Sequence, residues 1–237
     1  MIAGLSKAIT LYLAPLLSLT STILILFAFF APTVLLHSQV SLLTVSPSSI
    51  LTDPNASHGI DGPSIFLGAL GSCSRQNNDG SVGCEAASLS PKYDLSALPG
   101  TAPDLLSAPT ATTPVFIAIS IVLSIIFFIL FTLISLRASL GARLSAALDK
   151  PFLQRTSAWI GLLGFMIGLT AFLVIRMWFG KAVEDFNLAI TKGGASAPQL
   201  IASTSNGFTM VWVAYAFYAV PLICALARLH VTATASK

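Results

Sequence analysis

The apolar and polar positions of this chain are sorted into blocks. Residues 8–52, 105–136, 156–175 and 193–227 contain no Asp, Glu, Lys or Arg. A helix needs roughly 20 mostly apolar residues to cross a hydrocarbon core of about 30 Å. Each charge-free run holds one such segment once its Pro-rich and polar ends are trimmed. The pattern predicts membrane-spanning helices at 8–36, 114–136, 157–178 and 207–227. The runs are continuously apolar and show no ten-residue alternation, so helices rather than barrel strands satisfy the backbone in lipid. The first run is far longer than the 7–15 apolar residues of a cleavable leader, and no convincing A-x-A site follows it. It reads as an uncleaved anchor.

Composition agrees with the pattern. The 237 residues have a mean hydropathy of +0.86; 55% are hydrophobic and only 9% charged. A soluble domain carries about 25% charged residues. A soluble enzyme, a disordered chain and a nucleic-acid binder are thereby excluded.

The few charges orient the spans. With four spans, both termini share a side with the 137–156 loop. That side holds Lys7, Arg137, Arg143, Lys150, Arg155, Arg228 and Lys237 against Asp149 alone, a net +6. The opposite side holds five basic and eight acidic residues, a net −3, and the two add to the +3 of the whole chain. Basic residues stay cytoplasmic, so residues 1–7, 137–156 and 228–237 are expected inside, where the basic face is also suited to anionic lipid. Residues 37–113 and 179–206 are expected outside.

The first outer loop, 37–113, is much longer than the roughly 12–15 residues beyond which a loop has structure or function of its own. Val40–Val45 is β-prone. Ser64–Ser74 reads as a strand, Asn77-Asn78-Asp79-Gly80 as a turn, and Ser81–Ala86 as the returning strand of a hairpin. Cys73 and Cys84 flank the turn on the oxidising side, which predicts a disulfide; two free thiols are the alternative. Zinc is not expected, because no second Cys or His pair has ligand spacing and the nearest histidine in sequence is His58. Asn55-Ala56-Ser57 is a glycosylation sequon. Ser96–Pro114 is a Ser-, Ala-, Thr- and Pro-rich return, with a short helical turn expected at Asp104–Ser107. Residues Gly193–Ser205 read as a small polar loop.

Gly68-Ala69-Leu70-Gly71-Ser72-Cys73, followed after ten residues by Cys84, resembles the claudin-superfamily signature G-L-W-x-x-C with its second cysteine eight to ten residues on. Leu70 stands where that signature has Trp. Pro91-Lys92-Tyr93-Asp94-Leu95 resembles the segment that follows the second cysteine in the fungal Sur-seven/PalI family of eisosome and pH-response tetraspanners. The resemblance implies a mainly α, four-transmembrane-helix claudin-like bundle with a small extracellular antiparallel β-sheet in the plasma membrane. It also implies a non-enzymatic organiser of a membrane domain or cell-surface structure. Its partners would be membrane lipids, itself or another membrane protein laterally, and cell wall or other extracellular material. The alternative within the superfamily is a signalling or channel-regulatory subunit, for ambient pH or for calcium influx and mating fusion.

Other positions carry smaller expectations. Gly161, Gly164, Gly168 and Ala171 share one helix face with a G-x-x-x-G spacing, suited either to packing inside the bundle or to contact with another protomer. Lys181 and Asp185 are placed to pair on a helix that continues past the membrane, and Arg176 to reach the outer headgroups. Trp212 suits the outer interface, and Pro221 a kink. Cys224, near the cytoplasmic end of the fourth span, is a candidate for palmitoylation or a small buried apolar residue. No nucleophile elbow, phosphate loop or zinc-protease motif occurs. The spans carry no central ionisable residue to mark an ion pathway. No cofactor, catalytic residue, metal or nucleic acid is expected.

Overall fold

A computed structural model describes residues 9–52, 60–78, 80–139, 142–148 and 150–235. Asn55 and Asp79 lie outside the described residues, so the sequon and the third residue of the turn have no structural account.

Four helices are long and apolar enough to cross a membrane. The first is α1, Ala14–Phe30, entered through a π-turn at Ile9–Leu13. The others are α2, Thr112–Ser135, α4, Pro151–Gly193, and α5, Asn206–Ala235. A short helix, α3, Ala142–Leu148, lies between α2 and α4. Large apolar side chains stand exposed on these helices, among them Leu16, Phe116, Val122, Ile129, Leu163 and Met177. In water such surface would be buried; it suits a helix whose solvent is lipid. The chain is a membrane protein.

The helix α4 outlasts the expected span. Its 43 residues reach about 65 Å at 1.5 Å per residue, twice the depth of a hydrocarbon core. Its later turns change character. Phe179, Phe186 and Ile190 are buried, while Lys181 lies 2.7 Å from Asp185 and 3.6 Å from Glu184 on an exposed face. That stretch is the helix on which Lys181 and Asp185 were expected to pair; it runs on to Gly193 and is amphipathic.

The strands are β1, Leu43–Pro47; β2, Ser64–Leu67; β3, Ser72–Arg75; β4, Gly83–Cys84; and β5, Leu200–Thr204. They form one antiparallel sheet in the order β4-β3-β2-β1-β5. Two expectations change here. Ser64–Ser74 is not one strand but a hairpin, folded at Gly68–Gly71, where the Gly68 N–H donates to the Gly71 carbonyl at 2.9 Å. Residues 193–205 contain β5, which pairs with β1 from Leu43↔Thr204 to Pro47↔Leu200. The Asp104–Ser107 turn is absent; Leu106 is buried, and the Ser107 carbonyl accepts the Trp178 indole N–H at 3.1 Å.

The chain falls into two compact units. One comprises residues 1–26, 116–170 and 211–237; the other comprises 27–115 and 171–210. In the helical unit, Ala14, Phe127, Phe131, Ala158, Tyr218, Leu222 and Ala225 form a buried core, with Cys224 partly buried against it. In the sheet unit, register puts Leu43, Val45, Ile65, Leu67, Leu200 and Ala202 on one face, all of them buried.

The small-residue face of α4 is filled from within the chain. A Cβ on Gly161 would stand 2.6 Å from the Phe127 ring. One on Gly164 would stand 3.1 Å from Leu123 and 3.3 Å from the Tyr218 hydroxyl. One on Gly168 would overlap the Tyr215 hydroxyl and come 2.6 Å from the Ser120 hydroxyl. The same openness lets Tyr218 donate to the Gly161 carbonyl at 3.2 Å. All three glycines are packed against neighbours inside the chain. Ala171, in the sheet unit, is also buried.

Candidate functional site

The residues singled out around the cysteines come together in the sheet unit. Cys73 on β3 and Cys84 on β4 sit at directly paired positions and form a disulfide, with S–S 2.07 Å. Cys73 is buried and Cys84 exposed. Strand periodicity puts Arg75, Cys73 and, across the register, Phe66 on one face, and the Arg75 guanidinium lies 5.9 Å from the Phe66 ring centre. Two residue pairs join β4 to β3, Cys73↔Cys84 and Ser74↔Gly83, and next to them the Glu85 N–H donates to the Ser72 carbonyl at 3.0 Å. The disulfide is therefore a principal tie on β4.

Gly68 has a steric reason to be glycine. A Cβ there would overlap the Ala31 carbonyl oxygen and the Pro32 ring. Both belong to the segment leaving α1, so the β2–β3 turn is pressed against backbone. Leu70, at the position of the signature Trp, is buried. Its carbonyl accepts the Ser88 N–H at 2.9 Å.

The segment after the second cysteine docks on the same turn. The Tyr93 hydroxyl donates to the Gly68 carbonyl at 2.7 Å, and the Asp94 N–H donates to the Ser72 hydroxyl at 2.9 Å. The Tyr93 ring is partly exposed, but its hydroxyl is enclosed, and this burial pushes the phenol above its ordinary value. The ring lies 6.4 Å from Phe179 of α4. Asp94 is held below the usual carboxylate range by the hydroxyl and the backbone N–H of Ser96. Gly68, Ser72, Cys73, Cys84 and Tyr93 thus belong to one connected network.

Elements distant in sequence brace the sheet. Asn187 of α4 meets β5 with its side-chain amide: its Nδ2 donates to the Ala202 carbonyl and its Oδ1 accepts the Ala202 N–H, both at 2.8 Å. The amide occupies the groups an edge strand would offer to another chain. Asn206 Nδ2 donates to the Gln39 carbonyl at 2.7 Å. The Arg176 guanidinium lies 5.2 Å from the Phe208 ring centre, a cation–π contact beyond the headgroup role expected for it.

Sequence reasoning missed His37. Its Nδ1 lies 2.7 Å from the Pro32 carbonyl and 3.3 Å from Cys84 Sγ. A carbonyl only accepts, so Nδ1 carries the proton. Ligand atoms of His37, Cys73 and Cys84 all lie within 4.8 Å of one another. With both sulfurs bonded to each other, no thiolate is offered, and the trio is not a zinc site in this state. A sequence separation of 47 hides the His37–Cys84 pairing from any local motif.

The chain matches no protein-family model, and no curated protein sequence matches it.

Proposed function

We propose that this chain is a non-enzymatic, claudin-like tetraspanner of the plasma membrane, of the Sur-seven/PalI kind, with both termini cytoplasmic. It organises a membrane domain through its extracellular sheet and through lateral contacts. The observation that carries the reading is the single network joining Gly68, Ser72, Cys73, Cys84 and Tyr93. The two parts of the resemblance, separated along the chain, meet there on a braced sheet. Charge sorting of +6 against −3 supports the orientation. Connectivity then puts the 37–113 and 179–206 segments, which supply all five strands, on one side of the membrane.

A sheet pinned by a disulfide and by side-chain hydrogen bonds presents a fixed surface to neighbours, lipid or wall material, and it needs no chemistry to do so. Purification of the full chain in mild detergent, with identification of everything that co-elutes, tests this. Self-association with lipid is expected. A stable heterologous partner in fixed ratio would overturn it in favour of a signalling or channel-regulatory subunit.

A further inference from the structure

The disulfide presents two unlike sulfurs. Cys84 is exposed, on a two-residue edge strand, while Cys73 is 1% exposed beneath it. The Nδ1 of His37 lies 3.3 Å from the exposed sulfur and 2.7 Å from the Pro32 carbonyl, so its one N–H is shared between the two acceptors, the carbonyl being the nearer. An N–H fixed beside a cysteine stabilises the thiolate, the form that exchanges.

We propose that Cys73–Cys84 is a thiol–disulfide exchange site for low-molecular-weight thiols and disulfides, with Cys84 as the exchanging sulfur, Cys73 as the resolving one and His37 as its positioning donor. In the reducing direction, a thiolate R–S⁻ attacks Cys84 Sγ. An R–S–Cys84 bond forms, the Cys73–Cys84 bond breaks, and its electron pair leaves on Cys73, which takes up the proton that R–SH released. A second thiolate attacks the R sulfur of this mixed disulfide. R–S–S–R departs, and Cys84 leaves as a thiolate beside the His37 N–H, later protonated from solvent. Two external thiols are oxidised to one disulfide while the protein disulfide is reduced to two thiols. The reverse sequence closes the bond again, starting with attack of the Cys84 thiolate on an external disulfide. Two ladder pairs and the Glu85 N–H bond to the Ser72 carbonyl hold this edge besides the disulfide, so each cycle loosens and re-pins it. The inference rests on this geometry and does not require the organiser reading.

The test uses the full-length protein in detergent with glutathione and glutathione disulfide as probes. Brief reaction, acid quenching and peptide mass spectrometry locate the mixed disulfide in the wild-type chain. It is expected on Cys84; a mixed disulfide on Cys73, or none at either sulfur, overturns the proposal. Re-oxidation of the reduced protein by glutathione disulfide is then timed at fixed pH. His37→Ala is expected to slow it about fivefold or more, and His37→Asn, which keeps an N–H donor, to recover part of the rate. Equal rates in all three proteins, within twofold, would overturn the role of His37. The wild-type trapping experiment decides the exchange site even where a variant folds poorly.

Discussion

Both units of this protein contain a glycine into whose missing side chain another group is pressed, but the two pressing groups differ in kind. In the helical unit, Gly168 faces the Tyr215 and Ser120 hydroxyls, the ends of side chains. In the sheet unit, Gly68 faces the Ala31 carbonyl and the Pro32 ring, main chain and a ring fused to it. A side chain yields by changing rotamer; main chain moves only by shifting the element that contains it. The helical unit is thus packed to be adjustable, the sheet unit to be exact in register. The disulfide, the Tyr93 bond and the Asn187 amide all reinforce the unit that cannot adjust.

Substitutions at these two glycines give the sharpest contrast. Gly68→Ala is expected to cost about 3 kcal/mol or more, because neither obstructing group has a free rotamer to adopt. Loss of monodisperse detergent-extracted protein would report it, and no second-site side-chain substitution should rescue it. Breaking the staple comes next. Cys73→Ser with Cys84→Ser is expected to remove roughly 3 kcal/mol by the loop-entropy account. Hydrogen exchange should rise in β3 and β4 and stay unchanged in residues 116–135. Equal loosening of both units would break the comparison. Gly168→Ala should cost about 1–3 kcal/mol, and Tyr215→Phe in the same chain should restore part of it by removing the overlapping hydroxyl. Gly164→Ala, with its nearest neighbour at 3.1 Å, should cost less than either.

The smallest effects concern the bonds around the signature turn. Tyr93→Phe leaves the Gly68 carbonyl without that donor, at a cost of about 1 kcal/mol. The Tyr93 phenol is raised in the folded state. Its contribution is therefore complete below the unfolded value of about 10 and is lost as pH rises above it. Melting temperatures at pH 8 and pH 10.5 should fall apart more in the wild type than in Tyr93→Phe; an identical fall would sink the assignment.

How much of this was legible in the sequence follows from what each element needs. A spanning helix needs about 20 apolar residues in a row, a property of composition that no distant contact alters, so four charge-free runs became four helices. The disulfide was legible because its cysteines flank a local turn. The hairpin within Ser64–Ser74 was not, since residues 65–71 are apolar throughout and have no period of two to mark the fold at Gly68–Gly71. Leu200–Thr204 forms a strand only because β1, more than 150 residues earlier, supplies its ladder. The helix beyond Trp178 was legible in the four-residue spacing of Lys181 and Asp185, but its extent to Gly193 was not, because its charges ended the apolar run although Phe179, Phe186 and Ile190 kept a buried stripe. His37 met Cys84 purely through the fold.

The central claim, that the braced sheet organises the membrane around it, is tested most directly by imaging the fluorescently tagged chain at the cell surface. The wild type would be compared with the Cys73→Ser/Cys84→Ser variant, and with Gly164→Ala as a control for the helical unit. The account predicts stable surface clusters for the wild type and Gly164→Ala, and a dispersed, freely diffusing population for the double cysteine variant at equal surface level. Clusters of unchanged size and lifetime in the double cysteine variant would contradict it.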